Sequence, residues 1–187
     1  MPNRATEITT IKPVRISYPH LLTPRKNDDG TPGKYGAMLL IPKENTADIK
    51  AINDAVEAAR KEGVANGIRN AKSFQSPLRD GDGQKPRGGN YGDECKGCYV
   101  LNTSSKRQPI LVNQKRQPIV DPNEIYPGIW ANVAINFACF SMQANSGISC
   151  YLNGVQKVRD DEPLGGYVAR AEDMFTVMEG EDDDLGL

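Results

Sequence analysis

Trp130 and Phe140 stand ten positions apart in a segment whose alternate residues are apolar. Across residues 129–140 the odd positions are Ile129, Ala131, Val133, Ile135, Phe137 and Cys139, the composition of a core face. The even positions are Trp130, Asn132, Ala134, Asn136, Ala138 and Phe140, with no aliphatic anchor among them. A strand sends successive side chains to opposite faces, so the two rings share a face with amides and small residues. Rings offered to solvent in this way are what a single-stranded nucleic acid needs. Unpaired bases stack on them at ~1–3 kcal/mol each, while Lys and Arg follow the phosphates. The candidate phosphate contacts are Arg79, Lys85, Arg87, Lys96, Lys106, Arg107, Lys115 and Arg116, and residues 69–116 hold ten basic residues against four acidic, a net +6. The competing use of the aromatic stripe is a second small core beneath a helix or a loop.

The following strand extends the pattern. A hairpin turning through residues 143–147 places Phe137 opposite Leu152 and Cys139 opposite Cys150, all inward. The same register places Ala138 opposite Tyr151 and Asn136 opposite Asn153, all outward. Trp130, Phe140 and Tyr151 then share the exposed face of the hairpin.

Other chemistry is weaker. Cys95 and Cys98 form a CxxC, and with Cys139 and Cys150 they make four thiols, the count of a structural zinc site. The second pair lacks knuckle spacing and falls on the inward face, so buried free cysteines are the expectation, with no metal and no cofactor. No helix follows the CxxC, which argues against a redox motif. His20 is the only histidine, and no nucleophile stands in a recognisable motif with it. The stretch GDGQKPRGG has the glycines of a phosphate loop without its lysine–hydroxyl pair. Asp80, Asp82, Asp93 and Glu94 could hold a catalytic metal, which makes a metal-dependent nuclease or recombination enzyme the alternative reading; solvated loop charge is the simpler one.

The elements that must position these groups are mostly strands. Eighteen glycines and thirteen prolines in 187 residues favour short strands over long helices, and a hydrophobic share of 38% allows one modest core with generous loops. Residues 7–18 read as a strand bent or placed at an edge by Pro13, and residues 35–42, YGAMLLIP, as a buried strand. Residues 46–62 read as the one helix, capped by Asn45 or Thr46 and ended by Gly63, with Ile49, Ile52, Val56 and Ala59 on its apolar stripe. Residues 66–97 read as a long loop. Residues 98–103 and 109–113 read as strands flanking a hairpin turn, SSKRQ, that carries Lys106 and Arg107; a second basic loop follows with Lys115 and Arg116. Met1 to Arg15 contains no apolar targeting segment, and no run approaches the ~18 apolar residues of a membrane span, so a soluble cytoplasmic protein is expected.

The net charge of −1 hides two halves of opposite sign. Residues 159–187 hold two basic residues against ten acidic, −8, and residues 1–158 hold twenty-one basic against fourteen acidic, +7. The end of the sequence concentrates the negative charge in Glu179, Glu181, Asp182, Asp183 and Asp184, followed by Leu185, Gly186 and Leu187. A segment this polar cannot fold by itself. It is expected to be a disordered tail that competes with phosphate for a cationic groove and offers Leu185 and Leu187 to a partner; the simpler alternative is a solubilising tail.

Three blocks, YGDECKGCYVLNTSSKRQPILV, IYPGIWANVAINFACFS and GISCYLNGVQKVRDDEPLGG, resemble a family of tailed-bacteriophage single-stranded DNA-binding proteins. The resemblance runs from about Lys12 to Gly166. Its most specific pieces are Lys96-Gly97-x-Tyr99, Tyr126-Pro127-Gly128 and Gly154-Val155-Gln156-Lys157-Val158. Tyr91 and Tyr99, in the first block, join the candidate binding residues. The family is similar in fold to the replicative single-strand binders of podoviruses. It implies an OB-fold-like five-stranded barrel with one added helix over residues 1–165, and an acidic tail over 166–187 that contacts replication proteins. It implies sequence-independent binding of single-stranded DNA in phage replication and recombination, with no catalysis. The sequence departs from the family in closing on Leu185-Gly186-Leu187 where several such tails close on an aromatic. The expected helix also follows the second apparent strand, where the OB order places it after the third; either two strands have been read as one, or the barrel is elaborated.

Overall fold

The computed structural model describes residues 4–165 and 175–176. Among these residues eight strands and one α-helix follow in the order β1 (Glu7–Thr9), β2 (Val14–His20), β3 (Tyr35–Pro42), α1 (Thr46–Ala65), β4 (Leu78–Asp80), β5 (Cys98–Ser105), β6 (Ile110–Val112), β7 (Trp130–Met142) and β8 (Asn145–Arg159). Five of the strands close a ring: β2 pairs with β3, β3 with β5, β5 with β8, β8 with β7, and β7 returns to β2. All these pairings are antiparallel except β5 with β8, which is parallel and rests on a single pair, Ser104 opposite Tyr151. This is the OB-like barrel that the family resemblance implied. Strands β1, β4 and β6 are additions, attached to β7, β5 and β8.

Alternation in the sequence builds the interior. The odd residues of β7 from Ala131 to Phe137 are buried, as are Val14 and Ile16 of β2, Leu39 and Ile41 of β3, Leu101 of β5, and Cys150 and Leu152 of β8. The helix adds Ile52, Val56 and Ala59 to the same core. Its first turn is fixed by Asp48, whose carboxylate accepts from the backbone N–H groups of Ile11 and Lys12 at 2.8 and 2.9 Å.

Several expectations are corrected. Residues 7–18 form two strands, β1 and β2; β1 lies outside the ring, so α1 falls between the second and third ring strands and the barrel is elaborated there. Gly63 does not end α1, which runs on to Ala65. Its role is contact: a Cβ there would meet Cys139 Sγ at 2.8 Å and Ala71 Cβ at 2.9 Å. The β7–β8 turn is two residues long, with Met142 opposite Asn145, so Phe137 faces Cys150 and Asn136 faces Tyr151. That is a slip of two from the expected register. Because the pleat repeats every two residues, each side chain keeps its expected face.

Residues 66–97 are not a plain loop. They contain β4, 3-10 turns at Ala71–Ser73 and Asp93–Cys95, and a Gln84–Asn90 bridge. Nor do the strands around SSKRQ form a hairpin. Strands β5 and β6 each run parallel to β8, and residues 106–109 step from one to the other along that edge.

Candidate nucleic-acid interface

Strand β5 divides its second edge between two neighbours. Tyr99–Leu101 take β4, whereas Ser104 meets Tyr151 of β8. Between β4 and the β7–β8 hairpin lies an opening of about 780 Å³. Its floor includes Asn102, Ser104 and Ser149, and its walls bring Phe74, Tyr91 and Phe140 together with Arg25 and Arg79. Arg25 comes from the β2–β3 arm, a small hairpin held by Lys26 opposite Pro32. The Arg79 guanidinium donates to Gln75 Oε1 at 3.2 Å. The opening therefore lies where OB barrels hold oligonucleotides, between the loop joining ring strands one and two and the loop joining strands four and five.

A second cleft of about 570 Å³ adjoins it across Ser104, which lines both. It gathers Lys34, Lys106 and Arg107 around Tyr151, Asn136 and Asn153. Asn136 is steadied from behind, accepting from the Thr6 hydroxyl at 2.8 Å. Among the described residues, no Asp or Glu lines either cleft. Among the described residues, five cations and four rings thus line two adjoining clefts, and no carboxylate lines either.

The family of the Enterobacter phage Enc34 single-stranded DNA-binding protein matches residues 6–185. The chain belongs to that family. The structure of the Enc34 protein in complex with ssDNA is 31% identical over 87% of this chain and 91% of that one, with a TM-score of 0.72. Another structure of the Enc34 protein is 30% identical over 91% of this chain and 90% of that one, with a TM-score of 0.69. The ssDNA-binding protein gp2.5 of bacteriophage T7 is 15% identical over 88% of this chain and 98% of that one, at a TM-score of 0.53, a likeness of fold. The sequence matches no protein of curated function.

In this Enc34-family chain the sequence-predicted binding residues fall into three groups. Arg79, Tyr91 and Phe140 meet in the first cleft, and Lys106, Arg107 and Tyr151 in the second. Lys85 and Arg87 ride on the exposed Gln84–Asn90 turn at the rim, where Lys85 Nζ stands 5.8 Å from the centre of the Tyr91 ring and Pro86 reaches the first cleft. The others are elsewhere. Lys96 pairs with Asp93 at 3.1 Å. Tyr99 lies under Lys43, whose Nζ is 5.4 Å from its ring centre. Lys115 and Arg116 sit at the tip of the turn after β6, where the Asn113 side chain accepts from the backbone of Lys115 and Gln117.

Trp130 is engaged at the start of β7. Its indole N–H donates to Asp161 at 2.7 Å, and the Arg159 and Arg15 guanidiniums lie 4.6 and 5.8 Å from its ring centre. Arg15 also donates to the Glu162 carbonyl at 2.7 Å. These contacts strap residues 160–164 back over the barrel, and Leu164 reaches the small apolar cluster of Leu40, Cys95 and Val100. Sequence reasoning missed Arg25, Lys34 and Phe74. Nothing local marks which cations of residues 22–34 face β5.

Three of the four loop carboxylates of the nuclease alternative, Asp80, Asp82 and Asp93, are held in ion pairs. Asp80 and Asp82 both clasp Lys43, at 2.9 and 2.8 Å, and Asp82 also accepts from Gly97 N–H. Hydrogen bonding to Lys43 holds both carboxyls below the ordinary carboxylate range and pushes the Lys43 ammonium up. These groups fasten the 80–97 segment to the end of β3. The four cysteines divide between two separate apolar clusters, Cys95 and Cys98 in one, Cys139 and Cys150 in the other. Burial pushes the Cys150 thiol well up. The acidic tail residues Glu179, Glu181, Asp182, Asp183, Asp184, Leu185 and Leu187 lie outside the described residues. Among the described residues no helix is long and apolar enough to cross a membrane.

Proposed function

We infer that this chain binds single-stranded DNA without sequence preference, coating it in the host cytoplasm during phage replication or recombination, and that it is a binding protein rather than an enzyme. The observation that carries this reading is the pair of clefts meeting at Ser104, lined by interleaved rings and cations and, among the described residues, by no carboxylate. Phe74, Tyr91, Phe140 and Tyr151 are the stacking surfaces. Arg25, Lys34, Arg79, Lys106 and Arg107 are the phosphate contacts, with Lys85 and Arg87 at the rim. Rings accept any base because every base has a π-face, and point charges follow any phosphate, so the arrangement supports affinity without a sequence code. Family membership supports the same reading. Residues 1–165 are the binding domain, and residues 166–187 are the acidic segment that recruits replication proteins.

A fluorescence-anisotropy titration of labelled oligo-dT at several salt concentrations tests this. Wild type binds, and binding weakens steeply with salt, with a log–log slope of roughly −0.7 per phosphate neutralised. Phe140→Ala loses ~1–3 kcal/mol of affinity. A Phe140→Ala protein that binds as tightly as wild type would place the first cleft outside the DNA path.

A further inference from the structure

Strand β2 holds an aromatic residue in a backbone conformation that aromatic side chains disfavour. Tyr18 has φ +47°, in the left-handed region where bulky residues are genuine outliers. It sits in a β-bulge. Ser17 pairs with Met38 and His20 with Gly36, so Tyr18 and Pro19 together oppose Ala37. A bulge whose first residue is left-handed ordinarily places glycine there. Burial does not explain the choice of tyrosine, because the residue is 57% exposed. Strained residues cluster at binding and active sites, so an outlier of this kind is a ground for a functional hypothesis.

The location gives the strain a use. His20, two residues on, is in register with Gly36, Gly36 with Ser104, and Ser104 with Tyr151. At the usual inter-strand spacing, His20 stands roughly 10 Å from the Ser104 seam. Gly36 contributes no side chain to the floor between them, and a Cβ there would meet the Thr103 carbonyl oxygen at 2.3 Å. The near end is cationic: Arg25, which lines the first cleft, lies close enough to His20 to act on its charge.

We propose that Tyr18 is a base-stacking residue, carrying the single-strand path from the Ser104 seam across Gly36 onto the β2 bulge. A bulge re-aims a side chain, and here it turns a ring to solvent at the open end of a track that already offers rings and cations. The occupant is a base of single-stranded DNA, so the proposal rests on the function inferred above.

Tyr18→Gly separates the ring from the fold, since glycine suits φ +47° better than tyrosine. The variant is expected to melt at or above the wild-type temperature, yet to bind oligo-dT roughly 5- to 150-fold more weakly, the range expected for one lost stacking contact. Tyr18→Phe keeps the ring and binds like wild type. An abasic strand of the same length, with phosphates and no bases, binds wild type and Tyr18→Gly alike. The proposal is overturned if Tyr18→Gly binds oligo-dT as wild type does while Phe140→Ala is weakened, or if the loss is as large on the abasic strand. Failure of the underlying reading looks different: wild type itself then ignores oligo-dT.

Discussion

Trp130 and Asp161, thirty-one residues apart, are joined by a 2.7 Å hydrogen bond from the indole N–H to the carboxylate. That bond, followed by the Glu162 backbone N–H, holds Asp161 below the ordinary carboxylate range. It closes the strap that turns the chain back over the barrel after β8. Trp130→Phe keeps a ring but loses the donor. The variant is expected to melt at a lower temperature than wild type while binding oligo-dT equally well, and wild-type tryptophan emission is expected to change little at saturating oligo-dT. Strong quenching, together with weakened binding by Trp130→Phe, would place this ring in the interface.

The two basic loops named from the sequence separate in space, and salt dependence distinguishes them. Lys106 and Arg107 line the second cleft, whereas Lys115 and Arg116 stand on the turn beyond β6. Replacing Lys106 and Arg107 with alanine should flatten the log–log salt slope by about 1.4 if each neutralises one phosphate. The corresponding Lys115 and Arg116 double variant should leave the slope as it is. Equal slopes for wild type and the first variant would remove the second cleft from the path, and a flattened slope for the second would extend the path to β6.

What could be read from the sequence followed from local periodicity. The alternation over residues 129–140 fixed both faces of β7, and those faces survived a register error because a slip of two preserves them. The apolar stripe Ile52, Val56 and Ala59 identified the helix in the same way. The 66–97 segment resisted because its order is non-local. Gly81 N–H reaches the Cys98 carbonyl at 2.8 Å, Asp80 and Asp82 reach back to Lys43, and Cys95 packs on Leu40 and Val100. Glycine-rich and polar, it carries no periodic signal of those contacts. The clefts were half legible for the same reason. Phe140 belonged to a periodic strand and could be placed on a face, whereas Phe74 and Arg25 acquire their position from segments remote in the chain.

His20 supplies a pH test. Burial, and after it the charge of Arg25, lowers its pKa below the ordinary 6.5. The unfolded chain therefore binds more protons than the native state between that depressed value and 6.5. Native stability should fall as pH drops through this window and recover above it. The carboxylates held low here lose their stabilisation only at lower pH, below about 3.8. Thermal melts of wild type and His20→Gln at pH 5 and pH 7.5 check the sign. The wild type should lose more stability than the variant at the acid end; equal losses would assign the effect to another group. A phosphate close to Arg25 favours protonated His20, so bound oligo-dT should shrink the wild-type loss.

We propose that the acidic segment competes for the same clefts. Residues 159–187 carry −8 and residues 1–158 carry +7, and the cations that line the clefts have no carboxylate among their described neighbours there. A tethered anion able to reach such a track would meet it at an effective concentration near the millimolar range, enough to compete with phosphate without a tight contact of its own. Single-stranded DNA would displace it and release Leu185 and Leu187 to a replication partner. Cutting the chain after Gly180 removes Glu181, Asp182, Asp183 and Asp184. Oligo-dT binding should then tighten at low salt, with the gain shrinking as salt screens the charges. The gain should also vanish in a truncated protein that lacks Lys106 and Arg107, because the competitor and its binding site are then both gone. Wild-type affinity for the truncated chain at low salt would show that the segment does not compete. Its charge would then serve solubility, unless the truncation also abolishes capture of the replication polymerase.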